Sequence, residues 1–209
     1  MRSRIRDLCR AAIMVALFVP MLAFGQAPSG SSDRPRVARG IVAAIDNDSL
    51  TLTSGEGQKQ VIPLAKDWTV SLLKPVQIDA IQPGSFIGTA EMPAKDGTGR
   101  SLEVHVFPPG VKAAEGHYDW DLRQGSKMTN GTVGTVTTKS SGRELLVSYP
   151  GGERRLVVPK HVPIVQITAG ERSLVKSGVP VFVMIAAGPG GRPAAISIAV
   201  GEGGAKPPM

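Results

Sequence analysis

The stretch VARGIVAAID, residues 37–46, decides the fold because its pattern recurs as TNGTVGTVT at residues 129–137. Gly40 corresponds to Gly131, and small and β-branched residues follow each glycine. Short segments of this composition, bounded by Asn, Asp and Gly, are typical of β-strands. An opening strand that occurs twice indicates two copies of one small β module.

The elements after this opening strand repeat in the same order. SLTLTSGEGQKQVIP (residues 49–63) contains a strand, a glycine turn and a second strand that ends in proline. RELLVSYPGGERRLVVP (residues 143–159) has the same succession. WTVSLL (residues 68–73) is then matched by VPIVQI (residues 162–167). The repeated order, more than residue identity, predicts a tandem repeat.

Each copy closes with a short helical turn and a hairpin. The turns are IDAIQPG at residues 78–84 and RSLVKSG at residues 172–178, and both end in glycine. The clearest strand of the chain, SLEVHVF at residues 101–107, belongs to the first hairpin. Because successive side chains of a strand point to opposite faces, we expect Val104 to face the core and His105 to face solvent.

These elements predict an all-β fold of two tandem, small OB-like β-barrels joined by an ordered linker. A β-sandwich is the alternative. Each copy spans about 70 residues, close to the lower limit for independent stability, so we expect the two copies to pack together. The expected divisions are a signal peptide (1–27), a flexible lead-in (28–36), the first barrel (37–107), the linker (108–128), the second barrel (129–201) and a flexible tail (202–209).

The N-terminal residues have the pattern of a secretory signal peptide. Four arginines precede an apolar run at residues 11–24, and Gly25 and Ala27 are small enough for cleavage after Ala27. The run contains Pro20 and is shorter than the roughly 20 apolar residues that a membrane-spanning helix needs. The sole cysteine, Cys9, lies within the signal, so no disulfide or thiolate site is expected in the mature chain. We therefore expect a periplasmic or secreted protein.

The charge argues against a nucleic-acid partner. The chain carries a net charge of +7, and loss of the signal, which holds four arginines and one aspartate, leaves about +4. Nucleic-acid-binding domains concentrate Lys and Arg in patches, whereas no run of five basic residues occurs in this sequence. A mildly basic surface suits anionic envelope components, so we expect an envelope protein, a glycan or a lipid head group as partner.

Three motifs resemble those of a family of uncharacterised bacterial exported proteins built from OB-like barrels. They are EVHVFP (residues 103–108), EGHYDWDL (residues 115–122), which fits the pattern EGHxxWDL, and GSKMTN (residues 125–130). The motifs are those of a two-barrel subgroup, and the likeness extends over nearly all of the mature chain. The resemblance implies an OB-like fold and export, and it implies no activity.

The segment EGHYDWDL lies between the two copies of the repeat. Tyr118, Trp120 and Leu122 occupy alternate positions and therefore share one face of an extended chain. A buried indole removes about 150–250 Å² from water and can anchor a linker. We interpret the segment as a clasp across the barrels, with Asp119 and Asp121 facing outward.

The same segment also permits a metal site. His105 and His117 are separated by a Pro-Pro-Gly turn that could bring them close, and Glu115 and Met128 could complete the ligand shell. Imidazole and carboxylate suit zinc or copper(II), and a thioether favours copper(I). In the competing interpretation His105 faces solvent, His117 forms a hydrogen bond within the linker, and the protein needs no cofactor.

Catalytic motifs do not occur in the sequence. Residues 71–74 and 173–176 fit S-x-x-K, but the partner motifs S-D-N and K-T-G are missing and the surroundings are β-type. Neither G-x-S-x-G nor a phosphate loop occurs. We therefore expect a non-enzymatic exported binding or scaffold protein. The alternative is a periplasmic zinc- or copper-binding protein that uses His105 and His117.

Overall fold

Thirteen β-strands make up most of the described part of the chain, which confirms the all-β expectation. The computed structural model describes residues 36–188 and 191–209, so the expected signal peptide and nearly all of the lead-in lie outside the described residues. In chain order the strands are β1 (Arg36–Ile45), β2 (Ser49–Thr53), β3 (Lys59–Pro75), β4 (Phe86–Pro93), β5 (Gly99–Ser101), β6 (Val104–Val106), β7 (Gly116–Asp119), β8 (Lys127–Lys139), β9 (Gly142–Tyr149), β10 (Gly152–Pro159), β11 (Ile164–Gly170), β12 (Pro180–Ala187) and β13 (Pro193–Gly201).

Five of these strands close into a barrel, here called ring 1. β1, β2 and β3 form an antiparallel meander, β3 pairs in parallel with β13, and β12 pairs antiparallel with both β13 and β1. Aliphatic side chains fill the interior, among them Val42, Leu52 and Ile198. Every second residue of a closed sheet points inward, so the alternating apolar positions supply this core. Closure of the ring favours a barrel over the β-sandwich alternative.

A second group of five strands, here called ring 2, pairs in the same order and sense. β8, β9 and β10 form the antiparallel meander, β10 pairs in parallel with β5, and β4 pairs antiparallel with both β5 and β8. β6 also pairs with β4, beside β5. The interior includes Ile87, Val147 and Leu156. The two rings therefore have separate aliphatic cores of the same construction.

Each ring combines strands from both halves of the chain, which differs from the expected barrels over residues 37–107 and 129–201. Within the described residues, β4, β5 and β6 form no ladder with β1, β2 or β3. They pair with β8 and β10 of the second copy, while β12 and β13 of the second copy close ring 1. Two copies of the predicted repeat would present equivalent strand edges. The sequence pattern therefore does not say which of the two edges a closing hairpin joins.

The strand β11 joins the two rings. It lies antiparallel to the end of β3 and parallel to β6. The strands around this junction share an apolar outer face, here called the outer cluster, which is separate from the cores of both rings. The buried members of the outer cluster are Leu73, Val165, Phe182, Ala199 and Met209.

The tail that we expected to be flexible is packed against this outer face. Pro207 and Met209 are buried, and the carbonyl oxygen of Met209 accepts a hydrogen bond of 2.8 Å from Nε of Arg39. A Cβ atom on Gly201 would collide with the carbonyl oxygen of Ala205. Glycine at this position therefore lets the chain fold back closely against the barrel that it has just completed.

Both opening strands bend at the same place. The pairing register shifts between Val42 and Ala44 in β1 and between Val133 and Thr135 in β8. Such a β-bulge inserts one extra residue and increases the local twist, which helps a short sheet to close. Gly40 precedes the bulge in β1, and Gly131 precedes the bulge in β8. A Cβ atom on either glycine would collide with a carbonyl oxygen of the next strand.

Other local predictions differ only in detail. The second strand predicted within residues 49–63 and the segment WTVSLL, residues 68–73, run together as β3. The two predicted helical turns are 3-10 turns at Ile78–Ala80 and Arg172–Leu174. The linker contains a strand of its own, β7, and this strand carries the first half of EGHYDWDL.

Candidate functional site

The segment EGHYDWDL begins as an additional strand on ring 2. β7 pairs antiparallel with the start of β8, where His117 lies opposite Thr129 and Tyr118 lies opposite Met128. The chain enters β7 through Ala114, whose φ of 46° lies in the left-handed region. This conformation costs a residue with a Cβ about 1–2 kcal/mol. Contacts elsewhere in the segment must therefore hold the turn in place.

Trp120 follows β7 and packs against ring 1. The half-buried indole joins the outer cluster, with its ring centroid 6.4 Å from that of Phe182 and 6.3 Å from that of Tyr118. The guanidinium carbon of Arg39 lies 5.7 Å from the Trp120 centroid and 5.2 Å from the Phe182 centroid. Leu122 is also half-buried. The structure thus places Tyr118, on the strand that pairs with ring 2, beside Trp120, which packs against ring 1.

The two aspartates of the segment are exposed, and each meets a cation. Asp121 accepts two hydrogen bonds from the guanidinium of Arg39, at 2.8 and 2.9 Å. Asp119 forms an ion pair with Lys127 on the neighbouring strand. Since Arg39 also binds the carbonyl oxygen of Met209, this one side chain connects β1, the linker and the tail.

The two histidines proposed as metal ligands point to opposite faces of one sheet. Gly88 on β4 pairs with both His105 on β6 and Asn130 on β8, so these side chains share a face. His117 pairs with Thr129, the residue adjacent to Asn130, and therefore points to the other face. The structure does not bring His105 and His117 together.

The other two candidate ligands lie in different surroundings. Glu115 is exposed in the linker, with Oε1 3.8 Å from Nζ of Lys112. Met128 is buried on β8. Across residues 36–188 and 191–209, no three His, Cys, Asp or Glu side chains are grouped so that they could hold a metal ion.

His105 is buried, which differs from its expected position on a solvent face. Its Nδ1 lies 3.1 Å from Oε2 of Glu103, and the Glu103 side chain is fully buried. The other carboxylate oxygen accepts a hydrogen bond of 2.7 Å from the backbone N–H of Ala90. The ring of Phe107 packs edge-on at 5.3 Å from the imidazole centroid. The buried carboxylate is therefore hydrogen-bonded on both oxygens.

Asn130 explains how this polar face is covered. Its Nδ2 donates hydrogen bonds to the carbonyl oxygen of Ala114 (3.0 Å) and to the hydroxyl of Tyr118 (2.9 Å), so the linker lies over the strand. Its Oδ1 is buried and has no hydrogen-bond partner among the described residues. A Cβ atom on Gly88 would overlap both this oxygen and Nε2 of His105. Nε2 therefore faces backbone and has no room for a substrate.

A second polar network, which sequence reasoning missed, lies on the opposite face. Nε and Nη2 of Arg154 are 2.7 and 2.6 Å from Oε1 of the fully buried Glu91. The hydroxyl of Thr129 donates to Oε2 of Glu91 and lies 2.9 Å from Nδ1 of His117. Burial lowers the pKa of His117, and the charge of Glu91 opposes that shift. Strand alternation could have revealed Glu91, because it shares its face with the core residue Ile87.

A groove of about 380 Å³, here called the seam groove, opens beside the junction of β3 and β11. The chain after β3, the start of β11 and the C-terminal tail form its walls. Its lining includes Leu73 from the outer cluster and Ile164 from the core of ring 2. Two basic residues, Lys160 and Lys206, also line it. Sequence reasoning could not find the groove, because three segments that are far apart in the chain line it.

Comparison with known proteins finds no match for this chain among protein-family models, curated proteins or solved structures. The described residues contain no helix with the length and apolar content needed to cross a membrane. The two polar networks, the linker and the seam groove are therefore the features from which a function can be inferred.

Proposed function

We propose that the protein is a non-enzymatic binding protein of the bacterial envelope and that the seam groove is its ligand site. The observation that carries this proposal is the groove itself. Its volume of about 380 Å³ falls within the range of roughly 300–1,000 Å³ that is typical of small-molecule sites. Its apolar lining and its position where two barrels meet are also typical of such sites.

We infer that both rings are OB-like barrels, formed by two copies of one module that have exchanged their closing hairpins. The pairing order β1-β2-β3-β13-β12 is the Greek-key order of an OB-like barrel. Ring 2 repeats that order with strands β8, β9, β10, β5 and β4. OB-like barrels frequently serve as binding modules, although the fold by itself specifies no ligand.

The polar networks support a binding role over catalysis. Glu103 and His105 resemble a carboxylate–imidazole pair, the arrangement that orients a general base. A general base must reach the proton that it abstracts, whereas Nε2 of His105 lies against the backbone of Gly88. The exposed aspartates of the linker pair with Arg39 and Lys127 and do not line the seam groove.

Export to the periplasm or the extracellular space is part of this proposal. The basic start and the apolar run at residues 11–24 support it. A protein in that compartment meets envelope proteins, glycans and lipids and meets little nucleic acid. The mild positive charge of the mature chain favours partners that carry anionic groups.

Native mass spectrometry of the protein isolated from its own compartment tests the groove. Gln77 is exposed and lines the groove, so Gln77→Trp should fill it at little cost to folding. Gln58→Trp, at an exposed hairpin turn outside the groove, is the matched control. We expect a bound molecule on the wild type and on the Gln58 variant and none on the Gln77 variant. A bound mass that persists in Gln77→Trp, or a wild type that carries none, would contradict the proposal.

A further inference from the structure

We propose that the seam groove binds a single-chain fatty carboxylate, with the alkyl chain along the apolar lining and the carboxylate beside Lys160 and Lys206. The inference rests on the proposed binding function and names the ligand class for that site. It follows from the lining of the groove, from its charge and from its size.

The apolar part of the lining belongs to the outer cluster and to the core of ring 2. Leu73 and Val165 come from the outer cluster, and Ile164 comes from the core of ring 2. The half-buried side chains of Val76 and Ile78 extend this surface toward the rim. An alkyl chain in contact with these residues would gain about 25 cal/mol for each Å² of apolar surface removed from water.

The charged side chains that line the groove are both positive. Lys160 follows the end of β10 and Lys206 belongs to the tail, so two separate chain segments each supply an ammonium group. In the part of the chain that the structure describes, no acidic residue lines the groove. Gln77 adds an exposed amide that can donate a hydrogen bond to a carboxylate oxygen. This combination complements an anionic head group and leaves a cationic one without a partner.

The size of the groove restricts the ligand to one chain. A volume of about 380 Å³ lies near the lower limit of small-molecule sites. The close approach of Ala205 to Gly201 holds the tail against the barrel as one wall. A phospholipid with two acyl chains needs more room than this wall leaves, so we commit to the free carboxylate as occupant.

Calorimetric titration of the full mature protein with dodecanoate tests the ligand class. Dodecanol has the same chain without the charge, and we expect it to bind roughly ten-fold more weakly, because two partly exposed ion pairs are lost. The double variant Lys160→Glu/Lys206→Glu should lose this preference for dodecanoate over dodecanol. Lys59→Glu/Lys95→Glu makes the same charge change at exposed positions outside the groove and should keep the preference.

Three results would overturn the inference. The first is absence of dodecanoate binding, whether or not vesicles of anionic phospholipid bind. The others are equal affinity for dodecanoate and dodecanol, and unchanged dodecanoate binding in Gln77→Trp. A native bound mass that Gln77→Trp removes, together with no dodecanoate binding, would leave the groove as the site and reject only the fatty carboxylate. Binding of dodecanoate that Gln77→Trp abolishes would support both.

Discussion

Leu73 and Ile167 lie directly opposite each other in the antiparallel ladder between β3 and β11. Each is the last residue of its copy of a matched segment, residues 68–73 in the first copy and residues 162–167 in the second. On either side of this pair, β3 runs parallel to β13 and β11 runs parallel to β6. An approximate two-fold axis therefore passes through the contact between Leu73 and Ile167.

Removal of the indole of Trp120 should destabilise the fold more than removal of the imidazole of His117. Trp120→Ala should lower the free energy of unfolding by about 2–3 kcal/mol, below the roughly 3–5 kcal/mol of a fully buried aromatic residue, because the ring is half-buried. His117→Ala should cost about 1 kcal/mol, the value of one hydrogen bond. Urea unfolding measures both changes, and Trp120→Phe is the conservative control.

Thermal unfolding in the presence of a chelator, zinc or copper tests the metal alternative. Because the structure separates His105 from His117, we expect no change in melting temperature with chelator, zinc or copper. A rise of several degrees with either metal, lost in His117→Ala, would show that the metal interpretation of the linker is the correct one.

Replacing only one partner of the ion pair between Glu91 and Arg154 should lower the free energy of unfolding strongly. Arg154→Met leaves the fully buried carboxylate of Glu91 without its cation and should cost about 3–5 kcal/mol. The double variant Glu91→Gln/Arg154→Met removes both charges and should cost clearly less. A double-mutant cycle in urea measures the coupling, and additive effects of the single variants would refute a coupled pair.

Gly88 should not tolerate a methyl group. Gly88→Ala places a Cβ atom against His105 and Asn130, so we expect a loss of about 1–3 kcal/mol from overpacking. Gly134→Ala is the matched control, since Gly134 is exposed on β8 and its nearest neighbour to a Cβ is a carbonyl oxygen at 3.6 Å. Thermal unfolding compares the two variants. Equal melting temperatures would mean that the polar layer around His105 is loosely packed.

The stability of the protein should fall below neutral pH, in part through His117. Burial lowers the pKa of His117 in the folded state, so the unfolded chain binds this proton more readily. The contribution is therefore fully present above about pH 6.5, the ordinary pKa of histidine, and is lost as the pH falls through the folded value. His117→Gln should flatten the pH dependence of the unfolding free energy between pH 7.5 and 5.5. His161→Gln, at an exposed position, is the matched control.

Strand content, turn positions and the class of fold could be predicted from the sequence, because local alternation and glycine placement determine them. The turn at Ile78–Ala80 and the core position of Val104 are two examples. The partner of each closing hairpin could not be predicted. A closing hairpin pairs with an open strand edge of a sheet. Two copies of the predicted repeat would offer equivalent edges, so the sequence does not distinguish them.

The position of His105 shows the same limit at the candidate site. Alternation correctly separated His105 from the core residue Val104, and it gave no information on what covers the other face. The linker covers that face through the hydrogen bonds of Asn130 to Ala114 and Tyr118. Because the covering segment belongs to neither copy of the repeat, no periodic signal places it there.

The pairing of β1 with β12 and of β3 with β13 also determines when the chain can complete its fold. The ladder of ring 1 begins at Arg36 and closes only when β13, which ends at Gly201, has been synthesised. Pairing between strands so far apart in the chain is intrinsically slow, since the entropy of loop closure opposes it before contacts form. Ring 2 needs no strand after β10, which ends at Pro159. The strands β1, β2 and β3 therefore stay without their closing partners at a stage of synthesis when ring 2 can already form.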